Sequence, residues 1–113
     1  MARTAGYSLA VTQLSDARLD EMIEEATVDA NGEDEQVLGL YTLLGEYLAL
    51  PFKTVVLGVD VTVEDIDLSD RGEIVARCTR GTFRQSIGVL DLPLPEPPPA
   101  GAEWIQAYRR WAR

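Results

Sequence analysis

Residues 28–52 read VDANGEDEQVLGLYTLLGEYLALPF, and this stretch holds the two features from which the fold is inferred. An acidic turn opens it, and an apolar run with helical spacing follows directly. Asn31 and Gly32 are residue types that favour turns, so Asn31 is expected to cap a helix that ends before Pro51. Because apolar side chains cover most of its circumference, this helix is predicted to be the central, buried one.

Two glycines interrupt the apolar run, Gly39 and Gly45. Inside a helix, glycine is about 1 kcal/mol less favourable than alanine. Both glycines are therefore expected to allow another element to approach the helix closely.

A shorter amphipathic helix is predicted before the acidic turn, with Ser15 as its N-cap. Its apolar stripe consists of Leu19, Met22, Ile23 and Ala26. The opposite face is acidic, as is typical of a solvated helix surface. Residues 1–14 are predicted to form either a tail or a short strand.

After Phe52 the apolar period changes from 3.6 to 2, which predicts β-strands. The predicted strands are residues 53–57, 59–63, 74–79 and 82–90, separated by glycines and by a turn at residues 69–72. They are expected to form either an antiparallel meander or a small SH3-like barrel. Cys78 is expected to be a buried thiol.

The last part of the chain is predicted to be a proline-rich connector at residues 93–99 and a C-terminal helix at residues 102–113. Trp104, Tyr108 and Trp111 share one stripe of that helix. The stripe is predicted to dock on the core, and the alternative is an exposed aromatic patch for a partner. The chain is thus read as one α+β domain, residues 1–113, with a helical part at 15–50 and a β part at 52–92.

Composition limits the function. Nineteen acids and ten bases give a net charge of −9, with one cysteine and no histidine. This excludes an intramolecular disulfide, histidine-based catalysis and most zinc sites, so oxygen ligands remain for a metal. The negative charge disfavours nucleic acid and anionic membranes, and it favours cations or a basic protein partner.

No enzyme activity is predicted, because the sequence has neither a nucleophile with a matching base nor a glycine-rich phosphate loop. No apolar run reaches the roughly 20 residues of a membrane span. A cytoplasmic location is therefore expected.

The acidic turn does not fit an EF-hand loop. With Gly32 as the loop glycine, the first position is Thr27, and Leu38 stands where the bidentate glutamate is needed. Calcium can also be bound outside such a loop, by six to eight oxygens of carboxylates, carbonyls and water. The candidate metal ligands are Asp29, Asn31, Glu33, Asp34, Glu35 and Glu46.

Two segments carry a resemblance to a known family, EEATVDANGEDEQVLGLYTLLGEYLALPF at residues 24–52 and AEWIQAYRRW at residues 102–111. With the strand-rich region between them, they resemble the small bacterial CcbP-type calcium-binding proteins. The resemblance implies an α+β protein that binds calcium through acidic surface groups and not through EF-hands. This chain has Gly45 and Glu46 where the family tends to carry two acids. The acids implied as ligands are Asp29, Glu33, Asp34, Glu35 and Glu46.

Two hypotheses about function follow. In the first, the protein is a calcium buffer or sensor that uses surface carboxylates, with Ca²⁺ as its ligand and no catalysis. In the second, it is an acidic protein–protein interaction module that binds a basic partner without metal dependence. In that case either the acidic face or the C-terminal aromatic helix provides the contact.

Overall fold

The computed structural model describes residues 14–113. In chain order, this range contains α1 (Asp16–Thr27), α2 (Glu33–Tyr47), β1 (Phe52–Val56), β2 (Val59–Leu68), β3 (Ile74–Arg80), β4 (Phe83–Gly88), a 3-10 turn (Val89–Asp91) and α3 (Glu103–Trp111). The α+β prediction is confirmed. The tail or strand predicted for residues 1–14 lies, except for Leu14, outside the described residues. No helix among residues 14–113 is long and apolar enough to cross a membrane.

The strands form one antiparallel sheet in the order β1-β2-β3-β4. The first and last strands do not pair with each other, so the sheet is an open meander and the SH3-like barrel does not form. β2 continues beyond its predicted end at Val63, because the strand passes a bulge before Asp65 and goes on to Leu68. A bulge shifts the alternation of side chains by one residue, and the period-2 pattern therefore breaks at that point.

The core lies between one face of the sheet and the three helices. Its most deeply buried side chains are Met22, Leu40, Leu44, Val63, Ile74, Ala76, Val89, Leu92, Ile105 and Ala107. Cys78 is buried among them as a free thiol, as predicted. Desolvation raises the pKa of this thiol above its ordinary value.

α1 begins as predicted. The Ser15 hydroxyl accepts a hydrogen bond from the backbone N–H of Arg18 at 3.1 Å, which satisfies one of the free donors of the first turn. Leu19 and Met22 from the predicted stripe are buried. The acidic side of the helix faces solvent.

The two glycines of α2 differ. A Cβ on Gly39 would lie 2.0 Å from the carbonyl oxygen of Ala26, so α1 and α2 are in backbone contact at this point. Around Gly45 the nearest atom to such a Cβ is Ile66 Cδ1 at 4.0 Å. The predicted close approach is therefore confirmed for Gly39 and wrong for Gly45.

Two further features of α2 correct the sequence-based view. Its N-cap is Gly32, while Asn31 donates its backbone N–H to Glu35 Oε1 at 3.0 Å. The helix is not buried on all sides, since Leu38 and Tyr47 are both half exposed. The sheet and the other helices cover only part of its wide apolar surface.

α3 docks its aromatic face on the core. Trp104 and Tyr108 are buried, and the Trp104 ring stacks on Tyr47 with the centroids 6.1 Å apart. The indole N–H of Trp111 donates to Gln36 Oε1 at 2.8 Å, which ties the end of α3 to α2. The alternative of an exposed aromatic patch is therefore wrong.

Hydrogen bonds hold the proline-rich connector to the domain at both of its ends. The Thr54 hydroxyl donates to the Pro93 carbonyl at 2.7 Å, and the Ala49 N–H donates to the Ala100 carbonyl at 2.8 Å. At Gly101, φ is +86° and a Cβ would lie 2.1 Å from the Tyr47 carbonyl oxygen. Only glycine fits this close turn into α3.

Candidate functional site

The acidic turn, residues 29–35, connects α1 to α2 and includes the first residues of α2. The predicted ligands found there are all exposed, namely Asp29, Asn31, Glu33, Asp34 and Glu35. The part from Asn31 to Glu35 lines a shallow surface concavity. The structure therefore brings five of the six predicted ligands to one place.

Local backbone chemistry explains this arrangement. The Ala30 N–H donates to the Thr27 carbonyl at 3.0 Å and closes the end of α1. Glu33, Asp34 and Glu35 are the first three residues of α2, where the helix dipole favours anions. The acids of the turn thus help to start the helix, whether or not they bind a ligand.

Glu46 does not belong to this group. It lies near the C-terminal end of α2, and with a rise of 1.5 Å per residue its backbone is roughly 20 Å from Glu33. A single ion cannot contact both residues.

The acids of the turn have no ion-pair partner among the described residues. Within residues 14–113, the ion pairs are Arg18 with Glu21, Arg77 with Asp67, and Arg110 with Asp16 and Asp20. None of them includes Asp29 or the acids of residues 33–35. Negative charge on the turn is thus not neutralised by an ion pair to these side chains.

The first half of α1 shows the contrasting case. Arg110 donates to both oxygens of Asp20, at 2.7 and 3.2 Å, and lies 3.3 Å from Asp16. The hydrogen bond from Arg110 lowers the pKa of Asp20 below its ordinary value. These acids join α1 to α3 and are not available as ligands.

The turn is not a ready metal cage. In the part of the chain that the structure describes, no group of three or more acidic or cysteine side chains is arranged to hold a metal ion. A cation at the turn would need side-chain rotation and water to complete its coordination shell.

A second concavity, which we call the α1–α2 groove, lies beside the turn. It is a shallow groove of about 600 Å³, lined by Glu25, Ala26, Val28, Asp29, Ala30, Glu35, Leu38, Gly39, Thr42 and Leu43. Sequence reasoning missed this groove. The only signal for it was the apolar surface of α2, which is wider than one buried face requires.

A third groove, of about 730 Å³, lies between the sheet and the connector. Lys53 and Arg80 line it together with Asp60 and Glu96, so its charges are balanced in number. The Arg80 guanidinium donates to the Asp60 carbonyl at 3.0 Å. This groove offers no clear preference for a charged ligand.

A comparison of the chain with protein-family models, with curated proteins and with solved structures found no match. The resemblance to CcbP-type calcium-binding proteins, which depends on residues 24–52 and 102–111, therefore stays a prediction.

Proposed function

We propose that this protein binds calcium through the exposed carboxylates of the acidic turn and acts as a cytoplasmic calcium buffer or sensor without catalysis. The observation that carries the proposal is a set of exposed acids at the turn that make no ion pair within residues 14–113, namely Asp29, Glu33, Asp34 and Glu35. Asp16 and Asp20 at the start of α1, in contrast, have a partner in Arg110. The resemblance of residues 24–52 to calcium-binding proteins points to the same acids.

The physical reason is electrostatic. Carboxylates held close together repel each other, and a hard divalent cation with oxygen ligands removes that repulsion. Two features limit the affinity. The N-terminal end of α2 carries partial positive charge, which disfavours a cation on the helix axis, and the side chains are not already arranged around a point. We therefore expect weak binding, with the ion beside the helix and partly hydrated.

A thermal melt of the chelator-treated protein tests the proposal, with and without calcium or magnesium at physiological salt. A ligand present at ten times its Kd stabilises the folded state by about 1.4 kcal/mol, which raises the Tm of a domain of this size by about 5 °C. We expect a shift of this kind with millimolar calcium and a smaller one with magnesium. Equal small shifts with both ions would instead indicate general charge screening.

Two matched variants locate the binding. Glu33→Gln/Asp34→Asn/Glu35→Gln removes three charges from the turn, and Asp70→Asn/Glu73→Gln/Glu96→Gln removes three exposed charges elsewhere. Equilibrium dialysis against ⁴⁵Ca²⁺ should show loss of binding in the first variant and near-normal binding in the second. If both variants lose calcium equally, the turn is not the site. If the unaltered protein binds none at millimolar calcium, the proposal is wrong.

A further inference from the structure

The α1–α2 groove combines exposed apolar side chains with a rim of one charge sign. Val28 is 77% exposed and Leu38 is 50% exposed, although both are large apolar residues. Ala26, Ala30 and Leu43 add partly buried apolar surface between them. The groove therefore offers exposed apolar side chains that a partner could cover.

The two helices that line the groove are in contact there. Gly39 of α2 lies against the backbone of Ala26, and both residues line the groove together with Val28 and Leu38. This contact between the helices is present without a partner.

The charged side chains at the rim are acidic. Glu25, Asp29 and Glu35 line the groove, all three are exposed, and no basic side chain of residues 14–113 lines it. None of the three carboxylates takes part in an ion pair within residues 14–113. A partner must therefore present apolar groups to the strip and positive charge to the rim.

We propose that the α1–α2 groove binds a basic amphipathic segment of a partner protein, with the apolar side chains of the segment on Leu38 and Val28 and its lysines or arginines on Glu25, Asp29 and Glu35. An amphipathic helix laid in a groove is a common way of recognising such segments. The proposal does not depend on calcium. Since Asp29 and Glu35 belong to both surfaces, bound calcium would weaken the attraction for the segment.

The test is a fluorescence anisotropy titration in excess chelator, so that metal plays no part. The probe is a labelled 14-residue helical peptide of leucine and lysine with one apolar face. One control peptide has the same composition in an order that removes the apolar face, and another has glutamate in place of lysine. We expect binding of the first peptide to be at least about tenfold tighter than that of either control.

Variants of the protein locate the contact. Leu38→Ser should weaken binding about tenfold, and Leu57→Ser should leave it unchanged, because Leu57 is 97% exposed at the β1–β2 hairpin and far from the groove in the chain. Glu25→Gln/Asp29→Asn should also weaken binding, while Asp70→Asn/Glu73→Gln makes the same change of net charge away from the groove. A thermal melt of each variant confirms that it is folded.

Several results would overturn the proposal. Equal binding by the amphipathic and rearranged peptides would mean unspecific charge attraction. Equal losses of peptide binding in Glu25→Gln/Asp29→Asn and in Asp70→Asn/Glu73→Gln would also mean unspecific charge attraction. Sedimentation that showed a dimer disrupted by Leu38→Ser would instead assign the groove to a second copy of this chain. If the protein binds calcium but not the peptide, only this proposal is wrong. If it binds the peptide but not calcium, only the calcium proposal is wrong.

Discussion

The acids at the two ends of α1 meet different surroundings. At the start of the helix, Asp16 and Asp20 face Arg110 of α3 and are paired with it. Beyond its end, Asp29 and the first residues of α2 face solvent and make no ion pair with any of the residues that the structure describes. Residues of one type, close in sequence, are thus ion-paired at one end of the helix and, among the described residues, unpaired at the other.

The cause of this difference is the position of α3. Its last turn contains Arg109 and Arg110. Arg109 points to the carbonyls of Val89 and Leu92, and Arg110 points to α1. In the described part of the chain, no basic side chain lines either the α1–α2 groove or the concavity of the acidic turn. An acidic segment therefore becomes structural where the fold brings a base to it, and available for binding where the fold does not.

The largest loss of stability is expected when α3, which carries Arg110, no longer docks on the domain. Trp104→Ala removes a buried aromatic side chain that anchors α3 on Tyr47, and it should cost about 3–5 kcal/mol of unfolding free energy. Without a docked α3, Asp16 and Asp20 would lose Arg110 and both ends of α1 would be unpaired. Urea denaturation checks the stability. A loss below about 1 kcal/mol would contradict the role of α3 as an anchor.

The contact between the helices is tested by two substitutions of the same kind in α2. Gly39→Ala forces a Cβ against the carbonyl of Ala26 and should destabilise the protein by about 2–3 kcal/mol. Gly45→Ala has room and should stabilise it by about 0.5–1 kcal/mol, because alanine is the better helix former. Equilibrium unfolding measures both. Changes of the same sign would show that the close approach at Gly39 does not restrict the side chain.

The pH dependence of stability tests the ion pair between Asp20 and Arg110. The lowered pKa of Asp20 means that the unfolded state takes up its proton first as the pH falls, so the pair stabilises the fold above the ordinary value of 3.8. Asp20→Asn should therefore lower the Tm at pH 7 by a small amount, and this difference should disappear as the pH falls below about 3.8. Glu21→Gln, in an exposed pair with Arg18, is the control and should change the Tm less. A pH-independent difference would mean that packing, and not charge, explains the effect.

The smallest effect on stability is expected at the acidic turn, where the acids are not ion-paired with the described residues. Glu33→Gln removes a favourable charge from the N-terminus of α2 and also removes repulsion within the turn, so the metal-free stability should change by less than about 0.5 kcal/mol. Its stabilisation by calcium should fall clearly below that of the unaltered protein. The same denaturation series with and without calcium measures both. If Glu33→Gln lowers the unfolding free energy by more than about 1 kcal/mol without calcium, the acids of the turn stabilise the fold as well.

Much of the fold could be predicted from local signals. The Ser15 cap, the apolar stripe of α1, the change of period at Phe52 and the aromatic stripe of α3 each depend on residues close together in the chain. The bulge before Asp65 and the different surroundings of Gly39 and Gly45 could not be predicted, because they depend on which atoms a neighbouring element places there. For the candidate site, the acids from Asp29 to Glu35 stayed together since they are adjacent in sequence, and Glu46 separated from them because a helix holds it at a distance.

The amino-acid sequence was sufficient for the class of fold, the acidic character of the surface and the lack of histidine chemistry, since composition and short-range periodicity are properties of the chain itself. The tertiary structure was needed to show which acids are neutralised and which apolar residues stay exposed. Arg110 meets Asp20 across ninety positions of sequence, and Gly39 contacts the backbone of Ala26 where the two helices line the α1–α2 groove. Contacts between residues far apart in the chain depend on how all the elements pack together, and no local pattern records them.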